Sequence, residues 1–176
     1  MKSHYVYNLR DVSKIFQGIA KASQKSCSDT HGFIKLWAHE CLRVFQDRLI
    51  TNDDKKLLSV IIKQLIWRNF RVQWKDLVRV EPLLWSTFVP TVHPDGDTSK
   101  KCLSNVYCEL TDREKLSVVS KKKLLGFNKR YPGKKMDIVL FEQALAHVIK
   151  IVRIIQTPFG HALCVGIGGS GRKSLS

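Results

Sequence analysis

The sequence predicts a mainly α chain whose C-terminal part, residues 135–176, turns into the start of an α/β domain. Two observations carry this reading. Apolar residues recur at helical spacing three times within residues 1–66, and four glycines fall between Gly166 and Gly171, directly after a short apolar run.

The first helix is expected over residues 8–22. Leu9, Val12, Ile15, Phe16 and Ile19 form its apolar stripe and Asn8 is its N-cap. A polar stretch from Ser23 to His31 breaks the pattern. A second stripe follows in Phe33, Leu36, Trp37, Cys41, Val44, Phe45 and Leu49, with Lys35, Glu40, Arg43, Asp47 and Arg48 on the opposite, solvent-facing side. Thr51 and Asp54 have capping-box spacing with the shorter acid, and Leu57, Leu58, Ile61, Ile62 and Leu65 supply the buried face of a third helix. Three short amphipathic helices of this kind make a small bundle that still needs a partner surface for its remaining apolar stripe.

Residues 67–134 read as a connecting segment with packed irregular and helical structure. Trp67, Phe70, Trp74, Leu77, Leu83, Leu84, Trp85 and Phe88 are too many large apolar groups for a disordered linker. Pro82, Pro90 and Pro94 punctuate the segment, and residues 93–101 form the clearest surface loop. Thr111-Asp112-Arg113-Glu114 has capping-box form and opens a helix to about Leu125, followed by a turn at Gly126, Asn128, Pro132 and Gly133. A longer helix runs from about Phe141 to Gln156 with Ala144, Leu145, Val148, Ile151, Val152 and Ile155 on its apolar side. Thr157-Pro158-Phe159-Gly160 stops it, and Ala162-Leu163-Cys164-Val165 reads as a strand of a parallel sheet.

With 176 residues, 44% hydrophobic and 26% charged, the chain can bury one core. It has no apolar run of about 18 residues that could span a membrane, and no signal-peptide pattern follows Met1. It reads as intracellular. The five cysteines form no C-x-x-C pair and lack histidines at finger spacing, which argues against a zinc site. Thirty basic residues against fifteen acidic give a net charge of +15. Such an excess can mark a nucleic-acid binder or a piece of a larger assembly whose acidic complement lies elsewhere. Because Lys100-Lys101, Lys121-Lys122-Lys123 and Lys134-Lys135 gather around turn residues, the second reading is favoured.

One motif carries chemistry. A phosphate loop needs a strand that ends abruptly, glycines that let successive backbone N–H groups turn inward, and a helix start facing the phosphates. Gly166-Ile167-Gly168-Gly169-Ser170-Gly171 keeps the G-x-x-x-x-G spacing of a Walker A loop. Arg172 stands where the loop lysine should reach the outer phosphates, and Lys173 where a hydroxyl should bind magnesium. Ser174 comes one residue late. Arginine keeps the charge but is bulkier than an ammonium, and losing the metal hydroxyl weakens hydrolysis. The loop therefore reads as a nucleotide holder, ATP or ADP, and a poor hydrolase. Its plain alternative is a glycine-rich turn with no ligand.

Three stretches resemble dynein heavy chains. His4-Tyr5-Val6-Tyr7-Asn8-Leu9-Arg10-Asp11-Val12-Ser13-Lys14-Ile15-Phe16-Gln17-Gly18 is similar to the opening of the helical lid of that family's third AAA+ module. Leu36-Trp37-Ala38-His39-Glu40 and Arg43-Val44-Phe45-Gln46-Asp47-Arg48-Leu49 resemble the next lid helix. Leu140-Phe141-Glu142-Gln143-Ala144 through Ile151, then Ala162 to Gly171, resemble the start of the fourth module. The axonemal, ciliary branch is the closer match, because its fourth-module loop similarly carries Gly-Gly-Ser-Gly and then a non-consensus pair.

The resemblance implies a mainly α fold: a helical AAA+ lid over 1–66, then the first strand and phosphate loop of an α/β P-loop AAA+ domain over 135–176, broken off inside the loop. It implies a fragment, inactive alone, of an ATP-driven microtubule motor of the ciliary axoneme, in the cytoplasm and cytoskeleton. Its partners are then the rest of the motor ring and, through the parent chain, microtubules and dynein light and intermediate chains, with magnesium in the intact parent. Nucleotide contacts are expected from Gly166, Gly168, Gly169, Ser170, Gly171, Arg172, Lys173 and Ser174. Ile138, Val139 and Leu140 lie where the family wraps the adenine, against core packing as their simpler role. Arg43 is a candidate nucleotide sensor, against an intrahelical pair with Glu40 or Asp47. The rival readings are a non-enzymatic helical interaction module and, behind it, a basic nucleic-acid binder; membrane and direct nucleic-acid partners are not expected.

Overall fold

The computed structural model describes residues 5–24, 27, 29–87, 106–166, 168 and 171. They are mainly helical: α1 (Leu9–Ile19), α2 (Thr30–Phe45), α3 (Asn52–Phe70), α4 (Trp74–Leu77), α5 (Arg113–Arg130) and α6 (Glu142–Ile155), with two short paired strands, β1 (Trp85–Ser86) and β2 (Cys108–Glu109). They fall into two compact units. The first runs to Trp85 and takes back Val106–Glu109; the second holds Ser86, Thr87 and everything from Leu110 onward. Phe88, Pro90, Pro94 and the loop expected at 93–101 lie outside the described residues.

In the first unit, α2 is the central element. Ile34, Ala38, Cys41 and Val44 pack with Ile15 of α1, Ile62 and Ile66 of α3, Leu77 at the end of α4, and Val78 and Leu83 beyond it. Beside this core, Leu36 meets Trp85 and Tyr107, whose rings lie 5.6 Å apart. Caps set the helix starts. Asn8 and Asp11 form a reciprocal capping box on α1, Asp29 accepts from the Gly32 amide at 3.0 Å to start α2, and Thr51 caps α3. Arg71, with φ 59°, ends α3 in the left-handed conformation usually given to glycine.

The buried face of α1 differs from the apolar stripe. Asp11, Ile15 and Gly18 turn inward, while Leu9, Val12 and Phe16 are exposed. An ion pair explains this. Arg48, in the turn after α2, donates two hydrogen bonds to Asp11, and Lys14 stands 3.5 Å from the same carboxylate. Bidentate arginine on a carboxylate fixes orientation as well as energy, so it rotates α1 about its axis. Burial pushes the Asp11 pKa up, but the Asn8 amide and then the Arg48 guanidinium outweigh it and hold the carboxyl below its ordinary value. On α3 the inward residues are Ile62 and Ile66, with Leu57, Ile61 and Leu65 more exposed than their spacing suggested. The bundle thus keeps an open apolar face on α1 and another on α3.

In the second unit α5 packs on α6, with Leu116 and Ser120 inward on α5 and Ala144, Leu145, Ile149 and Arg153 inward on α6. The cap of α5 is Asp112 rather than Thr111, accepting from the Lys115 amide at 2.8 Å. The helix continues through Gly126 and Asn128 to Arg130, where a turn was expected. One isolated glycine costs a helix only about 1 kcal/mol, and Asn128 is held by a two-way bond to the Met136 backbone, 2.9 Å in each direction. Of the expected turn residues, Pro132 and Gly133 do turn the chain, in the short Pro132–Lys134 segment.

Past α6 the chain turns at Phe159, with φ 56°. A Cβ on Gly160 would stand 2.0 Å from the Ile154 carbonyl oxygen, so only glycine fits. The next six residues, His161 to Gly166, are exposed and form no strand with the described residues. A parallel strand exists only through its neighbours, and none of the described residues runs beside it.

Two outcomes are expected. Gly160→Ala destabilises the second unit by more than about 1 kcal/mol, because the helix terminus must open to admit the methyl; urea unfolding measures it. Because the Asp11 pKa is depressed on folding, its contribution is complete above the ordinary carboxylate pKa and is lost as pH falls through the folded value. Asp11→Asn should therefore flatten the acid limb of a stability-versus-pH curve for the first unit.

Candidate functional site

Arg43 sits in the last turn of α2 and its side chain is committed locally. Its Nε donates to Glu40 at 3.0 Å and its Nη2 to the Lys14 carbonyl at 3.1 Å. Glu40 has 0% exposure, although its helical position placed it on the solvent side. The reason is a second donor: Tyr107, which returns beside β2, gives its hydroxyl to the other Glu40 oxygen at 2.8 Å. A buried carboxylate is tolerated only when paired and hydrogen-bonded, and Arg43 with Tyr107 supply both. Sequence reasoning missed Tyr107, since no local spacing links residues 67 positions apart. Beside the carboxylate, the His39 Nδ1–H donates to the Leu83 carbonyl at 3.0 Å. Lys35 pairs with Glu109 at 2.5 Å, fastening α2 to β2.

The same surroundings silence Cys41. Burial, and then the Glu40 charge, push its thiol up to about 12, so it carries almost no thiolate at neutral pH. Among the described residues no cluster of His, Cys, Asp and Glu could hold a metal ion.

The remaining candidates belong to the second unit. Ile138 is half-buried and Val139 is exposed, in the extended stretch between the Pro132–Lys134 turn and α6. Gly166 is exposed at the end of the His161–Gly166 segment, Gly168 lies in a turn, and Gly171 has φ +74°, a conformation that side chains rarely adopt. Gly169, Ser170, Arg172, Lys173 and Ser174 lie outside the described residues. Arg43 and the glycine loop are therefore in different units, each with its own surroundings.

A helical lid followed by the start of a P-loop AAA+ domain is the class that these two units define. The chain belongs with the dynein heavy chains: the family model for the dynein heavy chain ATPase lid domain matches residues 1–55, and that for the P-loop containing dynein motor region D4 matches residues 136–176. Similarity extends across both and the segment between. The chain is 35% identical over 175 residues to dynein axonemal heavy chain 10 of Homo sapiens and 37% over 177 residues to dynein axonemal heavy chain 2 of Homo sapiens. It is 36% identical over 184 residues to dynein axonemal heavy chain 3 of Mus musculus. In each case 99% of this chain and 4% of the relative are covered, so the chain spans a small part of the relatives' length.

Two measurements bear on this geometry. Glu40→Ala leaves Arg43 and the Tyr107 hydroxyl without their shared acceptor. It should cost on the order of 2 kcal/mol, less than for a fully enclosed pair because the Arg43 side chain is 27% exposed. Chemical unfolding reads it. In timed alkylation with peptide mapping, exposed Cys164 should react well before buried Cys41, and unfolding should abolish the difference.

Proposed function

We propose that this chain is a working part of a ciliary dynein motor, serving as the lid of the third AAA+ module and the start of the fourth. The partition follows the notional boundaries 1–66, 67–134 and 135–176. The parent protein would couple ATP binding and hydrolysis, chiefly in another module, to movement along microtubules of the axoneme, in concert with the rest of the ring and with dynein light and intermediate chains. The observation that supports this most is the delivery of the glycine loop. The tight turn at Phe159 and Gly160 ends α6 and sends the chain straight into Gly166–Gly171, within the stretch similar to dynein motor region D4.

In this reading the backbone N–H groups of Gly166, Gly168, Gly169, Ser170 and Gly171 surround the phosphates of ATP or ADP. Arg172 supplies charge to the outer phosphates, Lys173 takes the place of the magnesium hydroxyl, and Ser174 follows. Ile138 and Val139 lie against the adenine. The site holds a nucleotide and turns it over poorly, because no hydroxyl positions the metal that neutralises the leaving phosphate. Arg43 is the weakest member of the set. Two of its donors already serve Glu40 and Lys14, so a sensing role would use the remaining guanidinium N–H groups alone.

Fluorescence titration of the 176-residue chain with mant-ATP, alongside a phosphate-release assay, tests the reading. Saturable binding is expected, lost in Gly171→Val, whose side chain the φ of +74° does not admit. Turnover should stay far below the order of 1 per second common among enzymes. Binding indifferent to Gly171→Val, or brisk turnover, would reject the proposed site.

A further inference from the structure

The outward side of α5, opposite its packing face of Leu116 and Ser120, carries an ordered pattern. Val118 and Leu125, 65% and 62% exposed, are seven positions apart. Lys115, Lys122 and Lys129 repeat at the same interval. Seven positions bring a helix back to within about 20° of its start, so each set forms a row along the axis and the two rows lie side by side. Lys121 borders the aliphatic row on its other edge. None of these four lysines makes an ion pair among the described residues, and Glu114 is the one acid on the helix. The lysine cluster expected around a turn is in fact the middle of a helix.

We propose that this face of α5 is a docking surface for an acidic amphipathic helix of a partner protein. Val118 and Leu125 offer two aliphatic anchors one above the other, and the flanking row of one charge selects a partner carrying the opposite charge beside its own apolar side chains. Charge complementarity also rules against other occupants. A second copy would set lysine row against lysine row. Single-stranded nucleic acid is gripped by aromatic stacking, which valine and leucine cannot give. A lipid surface needs a broad apolar face with aromatic or several leucine side chains, and two aliphatic groups are too few. The partner's carboxylates would meet Lys115, Lys122 and Lys129 while its apolar seam covers Val118 and Leu125.

The test uses the 176-residue chain and a fluorescein-labelled designed helix of about three heptads, leucine on its seam and glutamate beside it. Controls are the same composition scrambled, the version with lysine for glutamate, an RNA oligonucleotide and phosphatidylserine vesicles. The acidic helix should bind saturably and weaken with salt. The double variant K122E/K129E should lose about tenfold in affinity and gain binding to the lysine version, with its helical content unchanged by circular dichroism. Leu125→Ala, an exposed truncation that leaves the fold intact, should weaken binding independently of charge. The proposal is overturned if the acidic helix does not bind, if the scrambled peptide, RNA or vesicles bind as tightly, or if neither variant alters affinity.

Discussion

Glu40 carries its charge where water does not reach, and the first unit is arranged around that requirement. Arg43 comes from the same helix one turn on, and Tyr107 from a segment that has left the unit and returned. Because the arginine also donates to the Lys14 carbonyl, one carboxylate ties together α1, α2 and the returning chain beside β2. A purely apolar contact could hold these pieces at similar cost, but it would not fix their register, since apolar packing is non-directional. The second ion pair, Asp11 with Arg48, repeats the logic one turn earlier on α1 and sets which side of that helix faces in.

These two pairs mark where the sequence was and was not legible. Helix existence was, because Leu36, Cys41, Val44 and Ile62 stand at helical spacing and Asn8 and Thr51 occupy cap positions whose chemistry is local, whereas the Asp29 cap was hidden in a polar stretch. Helix orientation was not. The apolar stripe of α1 pointed to Leu9, Val12 and Phe16 as core, whereas a charged partner 37 positions away turns Asp11 inward in their place. Glu40 was placed in solvent for the same reason. Pattern reading assigns charge to the outside unless it can see the partner, and neither Arg48 nor Tyr107 is near enough in sequence to be seen. On α5, Gly126 and Asn128 read as a turn by composition, yet the Asn128 amide clamps the Met136 backbone and the helix runs on.

Of the candidate site, the glycine spacing is a motif visible in the sequence itself; of its residues Gly171 has a positive φ that side chains rarely adopt, and Gly169, Ser170, Arg172, Lys173 and Ser174 lie outside the described residues. Arg43 was read as a balanced choice between sensing and local pairing, and its geometry supplies the local pair without closing off its remaining N–H groups. The apolar run before the loop shows the limit of composition most directly. Alanine, leucine, cysteine and valine favour a buried strand, but a strand is a relation between segments and cannot be formed by one of them.

That run has a further consequence. Leu163 and Val165 are 89% and 82% exposed, and among the described residues no strand pairs with their backbone, which is the chemistry of an open sheet edge. Two molecules that meet there can satisfy each other by lateral zippering, and the process steepens with concentration. A lysine or proline placed among these four residues would act as a gatekeeper while leaving the helices of the second unit unaltered.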